Sequence, residues 1–332
     1  MSAHQIHILQ ENPEWTEPLE RALQEVGAPY RVWDMSAGVL ALEQPPEPGV
    51  YFNRMSASAH TRGHGHAPEF TAQVLRWLEA GSPLGTVRVL NGSRTLQLEL
   101  SKAAQHLAMQ AVGIRTPETL VARGRAAILQ AANDISGTRQ RPFIVKHNRG
   151  GKGLGVHRYE NVAALESAWS ERHNQESMEP VDGLVLVQRY VEPPEPFITR
   201  CEFIGGELLY AVRVNTSDGF ELCPADVCDA GSTVCTVDDV PADKFTILDN
   251  FASPLTERYK ALLKAHDTSV AGIEFIVDTN GHAYTYDINT NTNYNSAAES
   301  RVDKRGHLAL AEYLAAELGS LDDARPVRSI AS

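Results

Sequence analysis

The 332-residue chain is 42% hydrophobic and 22% charged, the make-up of an ordinary globular protein with length for two or three domains. Its formal net charge of −12 excludes a generic nucleic-acid binder and makes any local cluster of cations informative. No apolar run approaches the ~18 residues of a membrane-spanning helix, and no basic-then-apolar segment opens the sequence. Neither a membrane partner nor a signal peptide is therefore expected, and the location reads as cytoplasmic.

Taken in chain order, Gln5–Leu9, Tyr30–Asp34, Val50–Asn53 and Val87–Leu90 read as short apolar strands, with a helix at Glu14–Val26 closed by Gly27. The alternation predicts a parallel α/β layer, and Gln10-Glu11-Asn12-Pro13 after the first strand excludes a GxGxxG dinucleotide turn. A second unit begins with a helix at Gln97–Val112, followed by strand Glu118–Val121, helix Ala126–Ile135 and strand Phe143–His147. A glycine-rich loop, strand Val156–Arg158, helix Val162–His173 and strand Leu184–Val191 complete it. Glu192-Pro193-Pro194-Glu195-Pro196 reads as a hinge. Beyond it the pattern is antiparallel, with hairpins over Phe197–Asn215 and Ala271–Asn289 and a terminal helix near Leu308–Leu318. The cysteines Cys201, Cys223, Cys228 and Cys235 lack CxxC spacing; Cys201 reads as a small buried residue and the others as free thiols.

Asn280-Gly281 joins the strands of the last hairpin, and a type I′ turn there sets Glu274 opposite Asp287, with Asn289 further along the same face. Ile273, Phe275, Tyr286 and Ile288 fall on the other face and read as core. Two facing carboxylates repel unless a cation joins them, and carboxylate and amide oxygens are what Mg²⁺ takes. A solvated polar face is the alternative reading.

Lys146 stands near the end of strand Phe143–His147, and Gly150, Gly151, Gly153 and Gly155 follow with Lys152 among them. Such a loop brings backbone amides close to phosphates, or is a flexible surface hairpin. A two-residue turn at Gly205-Gly206 pairs Ile198 with Arg213 and Arg200 with Ala211, making Arg200 and Arg213 diagonal neighbours on one face. Two adjacent guanidiniums want an anion, either a ligand's phosphoryl or carboxylate group or the chain's own Glu202, Glu207 or Glu221. Arg54 and Arg62 stand in a loop with His60, His64 and His66, after the strand Val50–Asn53, where a parallel sheet opens its ligand crevice. They are candidates for a substrate carboxylate, and Arg301, Lys304 and Arg305 for a second anionic group; solvated segments are the alternative.

Together these segments resemble the ATP-grasp superfamily over roughly Val89 to Asn295. Within it they resemble the carboxylate–amine ligases such as ribosomal-protein glutamate ligases, glutathione synthetases and D-alanine–D-alanine ligases. LSKAAQHLAMQAVGIRTPET is similar to the family's helix with a nucleotide-contacting lysine, here Lys102, and FIVKHNRGGKGLGV to its lysine strand and phosphate flap. LVLVQRYVEPPE resembles the linker that holds adenine, here Gln188, Arg189, Tyr190 and Val191, with Glu192 or Glu195 near the ribose. GIEF and YDIN are similar to the metal triad, giving Glu274, Asp287 and Asn289. The order Glu then Asp reverses the usual one, and Thr290-Asn291-Thr292-Asn293-Tyr294-Asn295 replaces a Ser-Ser-Pro-Gly type segment that often touches substrate. Asn291 thereby joins Arg54, Arg62 and Arg301 as a substrate candidate.

The resemblance implies an α/β (α+β) ATP-grasp fold behind an N-terminal Rossmann-like domain, divided at 1–98, 99–191 and 192–332. It implies ATP with Mg²⁺ or Mn²⁺, a substrate carboxylate activated as its acylphosphate, and an amine that attacks it, with Arg213 and Arg200 stabilising the developing charge. The substrates would be small molecules, or a peptide or protein tail; oligomeric state stays open. A small-molecule kinase on the same scaffold and a non-catalytic nucleotide-binding module are the rival readings.

Overall fold

The computed structural model describes residues 4–81, 85–151, 153, 155–171, 180–217, 228–230, 233–235, 244–248 and 250–323. Lys152, Glu221 and Cys223 lie outside the described residues. Among the described residues no helix is long and apolar enough to cross a membrane.

The first layer runs β1 (Gln5–Gln10), α1 (Pro13–Glu25), β2 (Tyr30–Asp34), β3 (Gly49–Asn53), α2 (Ala67–Gly81) and β4 (Val87–Leu90). All its strands are parallel, in the order β2-β1-β3-β4, as the strand–helix alternation predicts. Pro13 starts α1 at a position that needs no amide, and Trp15, Leu19, Ala22 and Leu23 form its buried stripe. Gly27, at φ +70, ends it in a Schellman arrangement: Gly27 N donates to Gln24 O and Ala28 N to Leu23 O. Between β1 and β3 the order reverses, so the turns after these two strands open on one crevice.

The second unit comprises α3 (Ser93–Leu100), α4 (Lys102–Ala111), β5 (Thr119–Ala122), α5 (Arg125–Ser136), β6 (Phe143–His147), β7 (His157–Tyr159), α6 (Val162–Glu171) and β8 (Val185–Arg189). Its sheet is antiparallel, ordered β5-β8-β6-β7. The single helix expected over Gln97–Val112 is two helices. Ser101 is extended at φ −143, and its Oγ accepts from Ala104 N at 3.2 Å, which starts a new helix at Lys102.

The third unit follows as β9 (Phe197–Ile204), β10 (Glu207–Asn215), β11 (Cys228–Ala230), β12 (Thr233–Cys235), β13 (Phe245–Leu248), α7 (Leu255–Ala265), β14 (Val270–Val277), β15 (Ala283–Asn289), α8 (Ser296–Ser300) and α9 (Gly306–Asp323). Its main sheet, β13-β10-β9-β14-β15, is buried on both faces. On one face Tyr210, Val212 and Ile198 share a core with Ile6, Ile8 and Leu19 of the first layer and Leu310 and Leu314 of α9. On the other, Cys201, Phe203 and Ile273 pack on Tyr259 and Leu262 of α7 and Met109 of α4. Cys201 is buried and free, as expected, and burial pushes its thiol up to about 12.

Two β-bulges change the expected registers. In the acidic hairpin Gly281 alone has positive φ, Asp278 pairs with His282, and Thr279-Asn280-Gly281 form a three-residue loop. Asp278 Oδ1 accepts from Asn280 N and His282 N, so the aspartate side chain directs this turn and the type I′ turn does not form. The resulting one-residue slip is undone by a bulge at Tyr286, and Glu274 does face Asp287. Tyr286 is thereby turned from the predicted core face into the cleft. In the β9–β10 hairpin the glycine turn forms as expected, with Gly205 at φ +62 and Gly206 at φ +76. A bulge between Leu208 and Tyr210 then pairs Arg200 with Val212 and Arg213 with Thr199. Arg200 and Arg213 therefore lie on opposite faces, which corrects the predicted diagonal pair; Tyr210 and Val212 come round to the face of Arg200.

Asn91 ties the layers together. It is fully buried at φ +53; its Nδ2 donates to Val270 O and Thr290 O, and its Oδ1 accepts from Ser269 N and Val270 N. Asn91→Ala strands these backbone groups and places alanine in the left-handed region, so urea unfolding should show a loss of at least about 3 kcal/mol. Burial also holds His7 near pKa 4, with Arg31 adding to it, and His307 near 3, with Arg54 adding to it. The unfolded chain takes up protons below pH 6.5 that these folded imidazoles refuse. Their stabilisation is complete above pH 6.5 and is lost as pH falls toward 4 for His7 and toward 3 for His307. His7→Phe, which keeps the ring stacked on Tyr51, should flatten the stability profile between pH 6.5 and 4.5 by on the order of 2 kcal/mol.

Candidate functional site

A cleft opens where the three units meet, and its floor is the β14–β15 ribbon. Glu274 and Asp287 face each other there, with Asn289 Nδ2 at 3.2 Å from Glu274 Oε1 and 3.5 Å from Asp287 Oδ2. Lys102 Nζ stands 2.5 Å from Asp287 Oδ1, and Arg200 Nη1 2.9 Å from Glu274 Oε1. These two side-chain cations offset the repulsion between the carboxylates. Burial works against ionising Asp287, but Lys102 and Lys146 outweigh it and hold the carboxyl below its usual range. At Glu274 burial prevails over Arg200, and the carboxyl is raised. Burial, joined by Lys102, brings Lys146 down to about 8.

Arg200 also donates from Nε to Glu202 Oε1 at 2.5 Å and from Nη2 to Thr292 Oγ1 at 2.6 Å. Of the internal anions expected for it, Glu202 pairs with it and Glu207 pairs with Lys260; Glu221 lies outside the described residues.

The donor set suits Mg²⁺. Two carboxylates on one rung and an amide two rungs along the same face carry hard oxygen and open on a cleft where further ligands can come from a substrate. Asn289 turns its Nδ2 toward the carboxylates, so its Oδ1 would serve after a rotation of the amide. Among the described residues no group of three or more His, Cys, Asp or Glu converges, which leaves this mixed set as the candidate metal site.

Lys146 lies over Tyr286, 5.6 Å from the ring centroid, with Nζ 3.4 Å from Tyr286 O. Asn148 joins the two lysine-bearing elements: its carbonyl accepts from Lys102 N at 3.1 Å and its Oδ1 from Ala103 N at 2.9 Å. Gly150, Gly151 and Gly153 line the cleft, and a side chain at Gly151 would meet Ser58 at 3.4 Å. Gly155 does not line it; at φ +72 it folds over the His147 ring, where a Cβ would come within 2.8 Å. Gln188, Arg189, Tyr190 and Val191 form one wall, and Gln188 is fixed through Nε2 to Thr119 Oγ1 at 2.7 Å. Ile144 of β6, Val156 just before β7, and Ile276 and Ile288 of the β14–β15 ribbon also line the cleft, giving it an apolar slot.

Other predicted residues stand apart. Arg213 lies over the Phe197 ring at 3.6 Å and pairs with Glu195; both point to solvent, and the structure does not bring them to the cleft. Glu192 is exposed, and Pro193 lines the cleft instead. Arg301 donates to Phe245 O and Arg305 pairs with Glu25, so neither faces the cleft. Arg62 is held by buried Glu11 and by Ser58, with Trp15 beneath it at 5.0 Å. Arg54 is buried behind the wall, and Asn291 lines it.

The sequence reading missed Trp15, Ser56, Ser58, Glu99, Gln105 and Asn293, all of which line the cleft. Glu99, three residues before Lys102, accepts from Ala57 N at 3.0 Å and Thr290 N at 2.8 Å and so joins two walls. Only its place one turn before Lys102 hinted at this. Ser56, Ser58 and Asn293 come from loops, and Trp15 and Gln105 from the helices α1 and α4, where nothing in their spacing marks them as cleft residues.

Removing Arg200 would leave Glu202 and Glu274 buried without their cation. Arg200→Met should cost about 3–5 kcal/mol in urea unfolding followed by tryptophan fluorescence, and adding Glu202→Gln should recover part of it.

No family model and no curated protein matches the sequence. Solved structures do match along nearly the whole chain. The D-cycloserine synthetase DcsG superposes with a TM-score of 0.61 at 18% identity, covering 94% of this chain and 99% of its own. A RimK domain ATP-grasp protein from Sphaerobacter thermophilus gives 0.61 at 18% identity, with 93% and 98% covered. The ATP-grasp ligase PsnB, complexed with a phosphomimetic variant of a minimal precursor, Mg and ADP, gives 0.63 at 13% identity, with 95% and 99% covered. The chain has the ATP-grasp fold of these ligases.

Proposed function

We propose that the protein is an ATP- and Mg²⁺-dependent ligase that joins a carboxylate to an amine with release of ADP and phosphate. The observation that carries this reading is the convergence of Glu274, Asp287 and Asn289 with Lys102 and Lys146 in one cleft, beside an apolar slot. That slot, walled by Gln188–Val191, would take an adenine ring, and Lys102 and Lys146 would take the phosphates beside the acidic ribbon. Glu274, Asp287 and Asn289 would hold Mg²⁺, which supplies charge neutralisation to the β- and γ-phosphates.

Lys102 and Lys146 offset the remaining phosphate charge, and Asn148 fixes them relative to each other. The backbone of Gly150, Gly151 and Gly153 would cover the phosphates and limit access of water. The substrate carboxylate attacks the γ-phosphorus, the bond to the β-phosphate oxygen breaks, and acylphosphate and ADP form. The amine adds to the acyl carbon, phosphate leaves with the electron pair of the C–O bond, and the proton lost by the amine goes to the departing phosphate. Arg200 steadies Glu274 and lends positive charge to the end of the cleft where the tetrahedral oxyanion develops. No side-chain nucleophile is required, because catalysis of this kind rests on position and electrostatics. The precursor-bound PsnB and the cycloserine synthetase favour an amino acid or peptide substrate by analogy of fold.

The test is ADP release from Mg-ATP across paired carboxylates and amines, with hydroxylamine as trap. An acyl hydroxamate is expected; a stable phosphoester would signal a kinase instead. Asp287→Ala should lower ADP release at least about 100-fold. Turnover at the wild-type level by this variant refutes the assignment.

A further inference from the structure

Arg54, buried beside the cleft, has no anion accounted for among the described residues. It is 3% exposed, and no acidic side chain among the described residues pairs with it. Its Nη2 donates to Trp15 O at 3.1 Å and to Asn293 Oδ1 at 2.9 Å, and its Nε has no hydrogen-bond partner. Arg62, eight residues on, differs sharply, because buried Glu11 neutralises it. Burial without a counter-charge is costly for a guanidinium, and it lowers the pKa to about 10. Such a charge persists where something outside the protein supplies the anion.

The contact with Asn293 shows where that anion sits. A guanidinium only donates, so the atom of Asn293 facing Arg54 is its oxygen, and the amide orientation follows from chemistry. Asn293 lines the cleft, and its Nδ2 has no partner among the described residues. Arg54 thus holds Asn293 as a donor toward the cleft, with a positive charge behind it. Ser56 and Ser58, whose hydroxyls bond each other at 2.8 Å, line the cleft as well. The N-terminus of α1, which Asn12 leaves without a side-chain cap, contributes Trp15 to it and adds its positive dipole end.

We propose that this wall binds a carboxylate that does not react, so that one substrate is a dicarboxylic acid, or an amino acid or peptide bearing a free carboxylate, with Asn293 Nδ2 as its donor and Arg54 as the positioning residue behind it. The inference rests on the ligase reading of the cleft and narrows its substrate class.

Binding of matched pairs by calorimetry without nucleotide tests it: glutarate against glutaramate, succinate against succinamate, and glycylglycine against glycylglycinamide. At least one free acid should bind ten-fold or more tightly than its amide. Arg54→Met should remove that preference. Asn293→Asp should remove it as well while keeping the thermal midpoint, because the new carboxylate pairs with Arg54 and turns the wall from donor to acceptor. Equal binding or no binding in every pair, or a preference that survives both substitutions, overturns the proposal. Affinity for a fluorescent ATP analogue is measured separately. Its absence in the native protein would sink the ligase reading and leave the carboxylate preference to be judged by itself.

Discussion

Two carboxylates held face to face in a buried ribbon set the terms for the rest of the molecule. Glu274 and Asp287 repel each other, and neither can be left without a cation away from water. The fold meets that demand from two sides. Arg200 reaches across from the adjacent strand, and Lys102 comes from the first turn of a helix that exists because Ser101 breaks and caps the chain there. Each cation is anchored in turn. Glu202 and Thr292 grip Arg200, and Asn148 binds the backbone around Lys102. The acidic pair therefore locates elements from two units, and the cleft is the space that remains between them.

The bulges at Leu209 and Tyr286 show how a sheet buried on both faces carries a polar site. A strand side chain changes face only when a residue is inserted or removed, and each bulge does so locally. At Tyr286 the insertion keeps Glu274 opposite Asp287 although the turn adds a residue, and it places a phenol under Lys146. At Leu209 it turns Tyr210 and Val212 toward the core shared with the first layer and sends Arg213 to the opposite side. One arginine joins the site and the other pairs with Glu195 in solvent.

The N-terminal layer contributes more than a platform. Its β1 and β3 turns form a wall of the cleft, and α9 returns to pack in the core it shares with the third unit. Asn91, Glu99 and Arg54 each bridge segments far apart in the chain, through backbone groups that no motif marks. Polar residues buried at such junctions make the relative placement of the layers specific, since every misplacement strands a donor or acceptor.

The facing of Glu274 and Asp287, expected from a type I′ turn, rests on the Tyr286 bulge, whereas the residues alone settled the parallel first layer, the lysine strand with its glycine loop and the two ribbons. These follow from hydrophobic period and turn chemistry, which act over a few residues and can be read locally. Only the tertiary structure decided that Arg213 faces away, that Tyr286 enters the cleft, that Lys102 and Arg200 neutralise the acidic pair, and that Trp15, Ser56 and Asn293 share one wall. A bulge is one residue's departure from a ladder, and a contact such as Arg54 to Asn293 spans 239 positions. Both are fixed by how packed layers satisfy buried polar groups, and that balance is struck only when all of them are in place.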